Sequence, residues 1–212
     1  MIFHDVKQGT PEWQACRIGI PTASQFGRIV TAKTMKLSAQ ADKYIGELAA
    51  ADYLQMPIES ADSPWMQRGT AMEPEARAYL EFAQGVKIEP AGFCTTDDGL
   101  VGASPDGFIG ADGLVEIKLY EAAHHVMALL DPDPIEHRAQ VAGGLWIAER
   151  KYCLRLYYNP ELPSLIVRID RDDEYVSKLK DALYGENGFL GRLALAMARL
   201  RDLGGKTADR RS

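Results

Sequence analysis

Asp106, Glu116 and Lys118 are the residues in this chain whose types and spacing most directly suggest chemistry. They sit in Ser104-Pro105-Asp106-Gly107 and Gly113-Leu114-Val115-Glu116-Ile117-Lys118. Paired carboxylates suit a hard dication such as Mg²⁺, which takes oxygen ligands and keeps several waters. The Ile117 carbonyl, between Glu116 and Lys118, can add a backbone oxygen. A lysine at such a centre can orient or deprotonate an attacking water, or stabilise charge growing on phosphorus. Taken separately, Asp-Gly is a turn and Glu-x-Lys a solvated strand face. The two halves gain meaning only if the chain folds them together.

The flanking pattern supplies that fold. Leu114 to Leu119 alternates apolar and charged residues, as a half-buried strand does, so Glu116 and Lys118 share one face. Phe108-Ile109, before the turn Gly110-Ala111-Asp112-Gly113, reads as the partner strand of a hairpin. Asp106 then arrives near Glu116 at the end of a sheet.

Upstream, Thr10-Pro11-Glu12-Trp13 opens a short helix, with Thr10 as N-cap and Pro11 at its first position. Arg17 follows at its end. Thr22-Ala23-Ser24-Gln25 resembles a capping box that starts a second helix to about Val30. Such an N-terminus can bind phosphate, with Arg17 as a bidentate donor and Ser24 as a hydroxyl. On these residues alone, a cap and a surface ion pair account for the pattern better. Arg28, Lys33 and Lys36, in and beside a polar basic loop, are candidates for contacts to a nucleic-acid backbone, or are simply solvated. A helix from Ser38 to about Gln55 is scaffold.

Pro64 to Ala83 reads as helical, with Pro74 expected to kink it or mark a restart. Glu73 lies just before, where a carboxylate is costly unless paired or metal-bound. Strands over Val86–Ala91, Gly92–Thr96 and Leu100–Ala103 lead to Ser104. The helix Glu121–Leu130 carries His124 and His125, which lack metal-ligand spacing and read as surface or packing residues. A further helix from about Ile135 to Arg150 sets His137 and Gln140 one turn apart. Tyr152–Tyr158 and Leu165–Ile169 extend the sheet, and a last helix, broken near Gly185–Gly188, resumes from Phe189 to Leu203. The expectation is an α/β fold, a central mixed β-sheet flanked by helices. One domain should span residues 1–203, followed by a disordered tail over 204–212.

Composition bounds the rest. The 212 residues are 46% hydrophobic, enough for a real core, and no apolar run is long enough to span a membrane. Nothing at the N-terminus reads as a secretory signal. Cys16, Cys94 and Cys153 are too dispersed for a zinc or iron–sulfur site and fit a reducing cytoplasm. Net charge is −6, unlike a typical DNA-binding protein. The charge is uneven, however: residues 1–43 carry six Lys/Arg against three Asp/Glu, and the remainder eighteen against twenty-seven.

Pro105-Asp106 followed by Glu116-Ile117-Lys118 resembles the Pro-Asp…(Asp/Glu)-x-Lys nuclease superfamily, with its restriction-endonuclease-like core. Trp13 through Ser24, Arg68-Gly69 through Glu73 and Ala76, Ser104 to Gly107, Glu116 to Lys118, and Gln140 together resemble the phage lambda exonuclease and YqaJ-type viral recombinase nucleases. The resemblance covers roughly residues 10 to 180. It implies a Mg²⁺-dependent 5′→3′ exonuclease on linear double-stranded DNA. That enzyme uses two metal ions, for which Mn²⁺ substitutes, and leaves 3′ tails for recombination. Asp106, Glu116, Ile117 and Glu73 would ligate metal, with Lys118 and Gln140 completing the catalytic set. Arg17, Ser24 and Ser104 would hold the 5′-terminal phosphate, and Met66 would wedge into the duplex end. The family further implies a ring-shaped homotrimer, a single-strand annealing partner and a bacterial cytoplasm. Two alternatives remain open. One is an endonuclease or structure-specific repair nuclease of the same superfamily, and the other is a non-catalytic DNA-end-binding module.

Overall fold

The computed structural model describes residues 1–57, 64–131 and 137–209, of which 64–70 and 205–209 by backbone alone. The chain begins with strand β1 (Ile2–His4), helix α1 (Pro11–Cys16), a 3₁₀ turn (Ala23–Gln25) and the single-turn helix α2 (Phe26–Ile29). Helices α3 (Ala41–Leu54) and α4 (Pro64–Gln84) follow, then strands β2 (Phe93–Thr95), β3 (Gly102–Ala103), β4 (Gly107–Ile109) and β5 (Gly113–Leu119). Helices α5 (Ala122–Leu130) and α6 (Arg138–Ile147) lead to strands β6 (Tyr152–Tyr158) and β7 (Leu165–Asp170). Helices α7 (Asp173–Tyr184) and α8 (Phe189–Asp209) close the chain.

The fold is α/β, but the expected single central sheet is two. β1, β2 and β3 form an antiparallel three-stranded sheet, and β4-β5-β6-β7 a mixed four-stranded one. The break falls at Ser104-Pro105, where proline has no N–H to continue a ladder. The predicted hairpin is present: Gly107 pairs with Val115, Phe108 with Leu114 and Ile109 with Gly113. β5 and β6 run parallel, with Glu116 opposite Arg155 and Lys118 opposite Tyr157. Helices α5 and α6 make the crossover that a parallel pair requires.

Alternation along β5 assigns its residues to two cores. Leu114 and β6 residue Cys153 face a cluster with Phe26, Tyr44, Leu48, Leu145, Ile147, Leu179 and Phe189. Val115 and Ile117, with Leu154, Leu156 and Tyr158, face α4 through Ala76 and Leu80. Each fully buried aliphatic side chain contributes about 1.5–3 kcal/mol, so a slip of one residue would be costly on both sides. Glu116 and Lys118 therefore project on the face that α6 covers.

Three local expectations change. α4 runs through Pro74 as one helix; Ala76 and Leu80 are fully buried, and that packing offsets a lost hydrogen bond. Thr22 makes no side-chain capping bond and heads only the short 3₁₀ turn; its N–H donates to Tyr44 Oη at 3.2 Å and its chain bridges to Gly102. α8 continues through Asp209 rather than ending at Leu203, so the described part of the expected tail is helical.

Candidate active site

Asp106 stands at the head of β4. Its N–H donates to the Val115 carbonyl at 3.1 Å, and its Oδ2 accepts the Ile117 N–H at 2.5 Å. Two groups thereby lock the carboxylate against the edge of β5 just beyond the end of β4. The N–H and C=O of a strand residue share one edge, so the Ile117 carbonyl lies on the Asp106 side. Gly107 is required here: a β-carbon would collide with Ile88 Cγ2 and Arg77 Nη1. From the N-terminal segment, Gln8 Nε2 donates to the Pro105 carbonyl at 2.6 Å and to that of Ala91 at 2.8 Å. It fixes the residue before Asp106.

Glu116, Lys118 and Gln140 close a triangle. Glu116 Oε1 accepts from Lys118 Nζ at 2.8 Å and from Gln140 Nε2 at 2.5 Å. Lys118 Nζ also donates to Gln140 Oε1 at 3.1 Å. On its other contact, α6 packs against α2 with Gly143 on the Phe26 ring, where a β-carbon would clash, while Gly144 faces Leu114 of β5. Burial pushes the Asp106 carboxyl well above the ordinary aspartate value, and the charges of Glu116 and Glu73 push it the same way. For Lys118, burial acts to lower the ammonium's pKa. The charge and hydrogen bond of Glu116 outweigh it, so the group lies above the usual lysine value and is a cation. Lys118 is set up as a donor in this arrangement.

Glu73 projects from α4 close enough to raise Asp106, but its Oε1 is held by Arg77 Nη2 at 2.8 Å, one helical turn on. Among the described residues no three His, Cys, Asp or Glu side chains approach closely enough to form a metal site unaided. The donor set nevertheless fits a hard dication. Glu116 is buried and Asp106 partly so, the Glu116 charge disfavours ionised Asp106, a backbone carbonyl lies at their edge, and a cation between them would relieve the repulsion.

Beside this centre lies a small cavity of about 20 Å³, lined by Ser24, Ser104, Leu114, Glu116, Gln140 and Gly144. Ser24 is exposed at its rim and accepts or donates a hydroxyl contact with Thr22 at 3.2 Å. Trp13 Nε1 donates to Ser104 Oγ at 3.0 Å, and the Arg17 guanidinium lies 4.0 Å from the Trp13 ring centroid. Arg17 Nε is buried with no hydrogen-bond partner among the described residues, and burial lowers its pKa. Such a donor is costly unless something accepts from it.

The structure thus gathers Asp106, Glu116, Ile117, Lys118 and Gln140, with Glu73 at the margin and Ser24, Ser104 and Arg17 alongside. It does not gather Arg28, which is held by Glu47 through 2.8 and 2.9 Å contacts and stacks 4.6 Å from the Tyr44 ring centroid. Lys33 and Lys36 are exposed on the loop between Val30 and Leu37. The Met66 side chain lies outside the described residues. His124 is exposed, and His125 is buried with Nε2 2.8 Å from the Pro163 carbonyl, as surface and packing roles require. Trp13, Arg77 and Gln8 were not singled out from sequence. Trp13–Arg17 and Glu73–Arg77 each carry an i,i+4 signal; nothing local marks Gln8.

The YqaJ-like viral recombinase domain matches residues 12–151. The chain belongs to this family. Its fold closely matches an alkaline exonuclease from Laribacter hongkongensis, with a TM-score of 0.82 and 29% identity over 93% of this chain and 100% of that one. The same enzyme in complex with dAMP matches at 28% identity, also with a TM-score of 0.82 and the same coverage. A phage-related exonuclease from Haemophilus somnus 129PT shares the fold at a TM-score of 0.66 and 14% identity, over 86% of this chain and 95% of that one. No curated protein sequence matches the YqaJ-like chain. None of its helices, among the described residues, is long and apolar enough to cross a membrane.

Proposed function

We propose that this YqaJ-like protein is a Mg²⁺-dependent exonuclease that degrades one strand of linear double-stranded DNA from its 5′ end. It releases 5′-mononucleotides and leaves 3′ tails for strand annealing. One observation carries the reading: the repelling carboxylates of Asp106 and buried Glu116 lie next to a cavity rimmed by Ser24 and Ser104. In this reading a dication centre would stand beside the 5′-phosphate site, the arrangement that removal of a terminal nucleotide requires. The Laribacter enzyme of similar fold binds dAMP, which is a nucleoside monophosphate of the type such a reaction releases.

In this reading Asp106, Glu116 and the Ile117 carbonyl hold the dication, with Glu73 supporting a second ion after it leaves Arg77. When bound, such ions neutralise phosphate charge and lower the pKa of water. The Lys118 ammonium orients the attacking water and faces the charge that develops on phosphorus. Gln140 keeps Glu116 and Lys118 in register through both ends of its amide. Arg17, with its unpartnered Nε, joins Ser104 and Ser24 in gripping the 5′-phosphate. Trp13 positions this pair by stacking on Arg17 and donating to Ser104.

A closed ring of three subunits would make processivity topological and independent of a strongly basic surface. That suits a chain of net charge −6, and an annealing protein is its natural companion.

The deciding assay incubates linear duplex DNA, with and without a 5′-phosphate, with Mg²⁺ and identifies the products. Release of 5′-mononucleotides, faster from phosphorylated ends and abolished in Asp106→Ala, supports the reading. Cutting of covalently closed circles would indicate an endonuclease instead.

A further inference from the structure

The three carboxylates of the candidate centre are answered in different ways. Asp106 Oδ2 accepts a backbone N–H, that of Ile117. Glu116 is buried and held by Lys118 and Gln140. Glu73 comes from α4 and is held by Arg77 at 2.8 Å. The Glu73 charge raises the Asp106 carboxyl, so this ion pair stands beside the dication site.

The Arg77 guanidinium has little room to wander. Its Nη2 donates to Glu73 Oε1. Its Nη1 lies against Gly107, the residue after Asp106, 2.9 Å from the place a β-carbon would take. That Nη1 is buried and has no hydrogen-bond partner among the described residues. Because α4 continues through Pro74, residues 73 and 77 stay on one helix face.

The balance of charge decides what this arrangement does. When ionised, Asp106, Glu116 and Glu73 set against Lys118 and Arg77 leave one net negative charge. One dication reverses that sign. A second would enter an already cationic site unless new anions came with it. It would also have to draw Glu73 away from Arg77. The Glu73 side chain is 39% exposed, and i,i+4 pairs open to solvent are weak, so the exchange is easily made. Even so, the displaced guanidinium keeps a positive charge beside the incoming ion. The anions that tip the balance are the phosphates of a DNA end.

We propose that Arg77 is a positioning residue that acts through Glu73, keeping this carboxylate occupied until a DNA end brings its phosphates. The proposal rests on the dication reading above and adds to it a rule for when the second ion binds. The free protein holds one ion. Phosphate and the second ion then arrive as linked ligands, each strengthening the other. Full loading for hydrolysis is thereby confined to protein engaged on an end.

The test counts Mn²⁺ bound to the full chain, from the paramagnetic resonance of the free ion, with and without dAMP as the phosphate. Wild type should take one ion alone, and a second roughly tenfold or more tightly once dAMP is present. Arg77→Met keeps the bulk and removes the charge. It should bind the second ion about 10–100-fold more tightly without dAMP, and gain less from adding it. Arg77→Gln should do the same. Arg77→Lys keeps the charge and should behave as wild type, which a purely structural need for the guanidinium would not give. Adding Glu73→Gln to Arg77→Met should abolish the gain. Unchanged Mn²⁺ affinity in the neutral variants, or a second ion indifferent to dAMP in wild type, overturns the role of Arg77 and leaves the dication reading standing. Failure of both neutral variants to fold would make Arg77 a structural cation and equally overturns it. Wild type that takes up no Mn²⁺, with or without dAMP, overturns the dication reading and this proposal together.

Discussion

Replacing Arg17 with methionine should separate function from stability, with opposite signs. The guanidinium stacks on Trp13 and buries an Nε that has no partner among the described residues. Losing the stack costs about 0.5–2 kcal/mol. Removing a buried unsatisfied donor returns about 1–3 kcal/mol, and methionine still covers the indole. The free protein should therefore unfold within about 1 kcal/mol of wild type, or slightly above it. The 5′-phosphate, by contrast, loses a charge-assisted partner, for which about 1.5–3 kcal/mol is typical. The preference for 5′-phosphate over 5′-hydroxyl ends should fall roughly 10- to 150-fold. Two assays read this out: urea denaturation of both proteins, and initial rates on duplexes differing only in the 5′ group. A further check is that a 5′-mononucleotide raises the melting temperature of wild type more than that of the variant. A variant destabilised by several kcal/mol with an unchanged end preference would show that Arg17 is a structural cation, and the pocket assignment would fail.

Other outcomes follow from the same geometry. The Asp106 carboxyl is held above its unfolded value, so the folded state binds more protons, and metal-free stability should fall as pH rises from the unfolded aspartate value through the folded one. Asp106→Asn should remove that decline in chelator-treated protein while abolishing activity; a variant no more stable than wild type at pH 8 would contradict it. Gln140→Leu leaves Glu116 paired with Lys118 but removes the brace on both, and should weaken Mg²⁺ activation about 10–100-fold, read from the metal dependence of rate. Gly107→Ala drives a methyl into Ile88 and the Arg77 side chain, and should cost about 1–3 kcal/mol by denaturation.

The hairpin and its alternating face were legible in the sequence because both are local: the Asp-Gly turn sets the register, and the period of two sets the face. Glu116 and Lys118 consequently project together, as expected. What escaped was the choice of partners across the fold. Arg28 looked like a cation for DNA, yet Glu47, nineteen residues on, takes it. Glu73 looked solitary because Arg77 has value as a partner only once the helix continues through Pro74. Splitting of the sheet at Pro105, and the hold of Gln8 on that proline, depend on chain segments nearly a hundred residues apart. Local pattern carries no information about such distant meetings. The helical course of residues 204–209 was missed because Gly204-Gly205 reads as a terminator, while Tyr53 closes over Gly204 in the fold.

β5 interleaves hydrocarbon and reactive groups at every other position, which leaves the family little freedom to vary it. Lengthening the Gly110–Asp112 bend by a single residue, with the pairing shifted to match, would turn Val115 and Ile117 toward the groove and drive two charges into oil. No intermediate register exists between a working strand and an inverted one. Variation compatible with activity should therefore collect in the outer helices and loops, while this ribbon keeps its length.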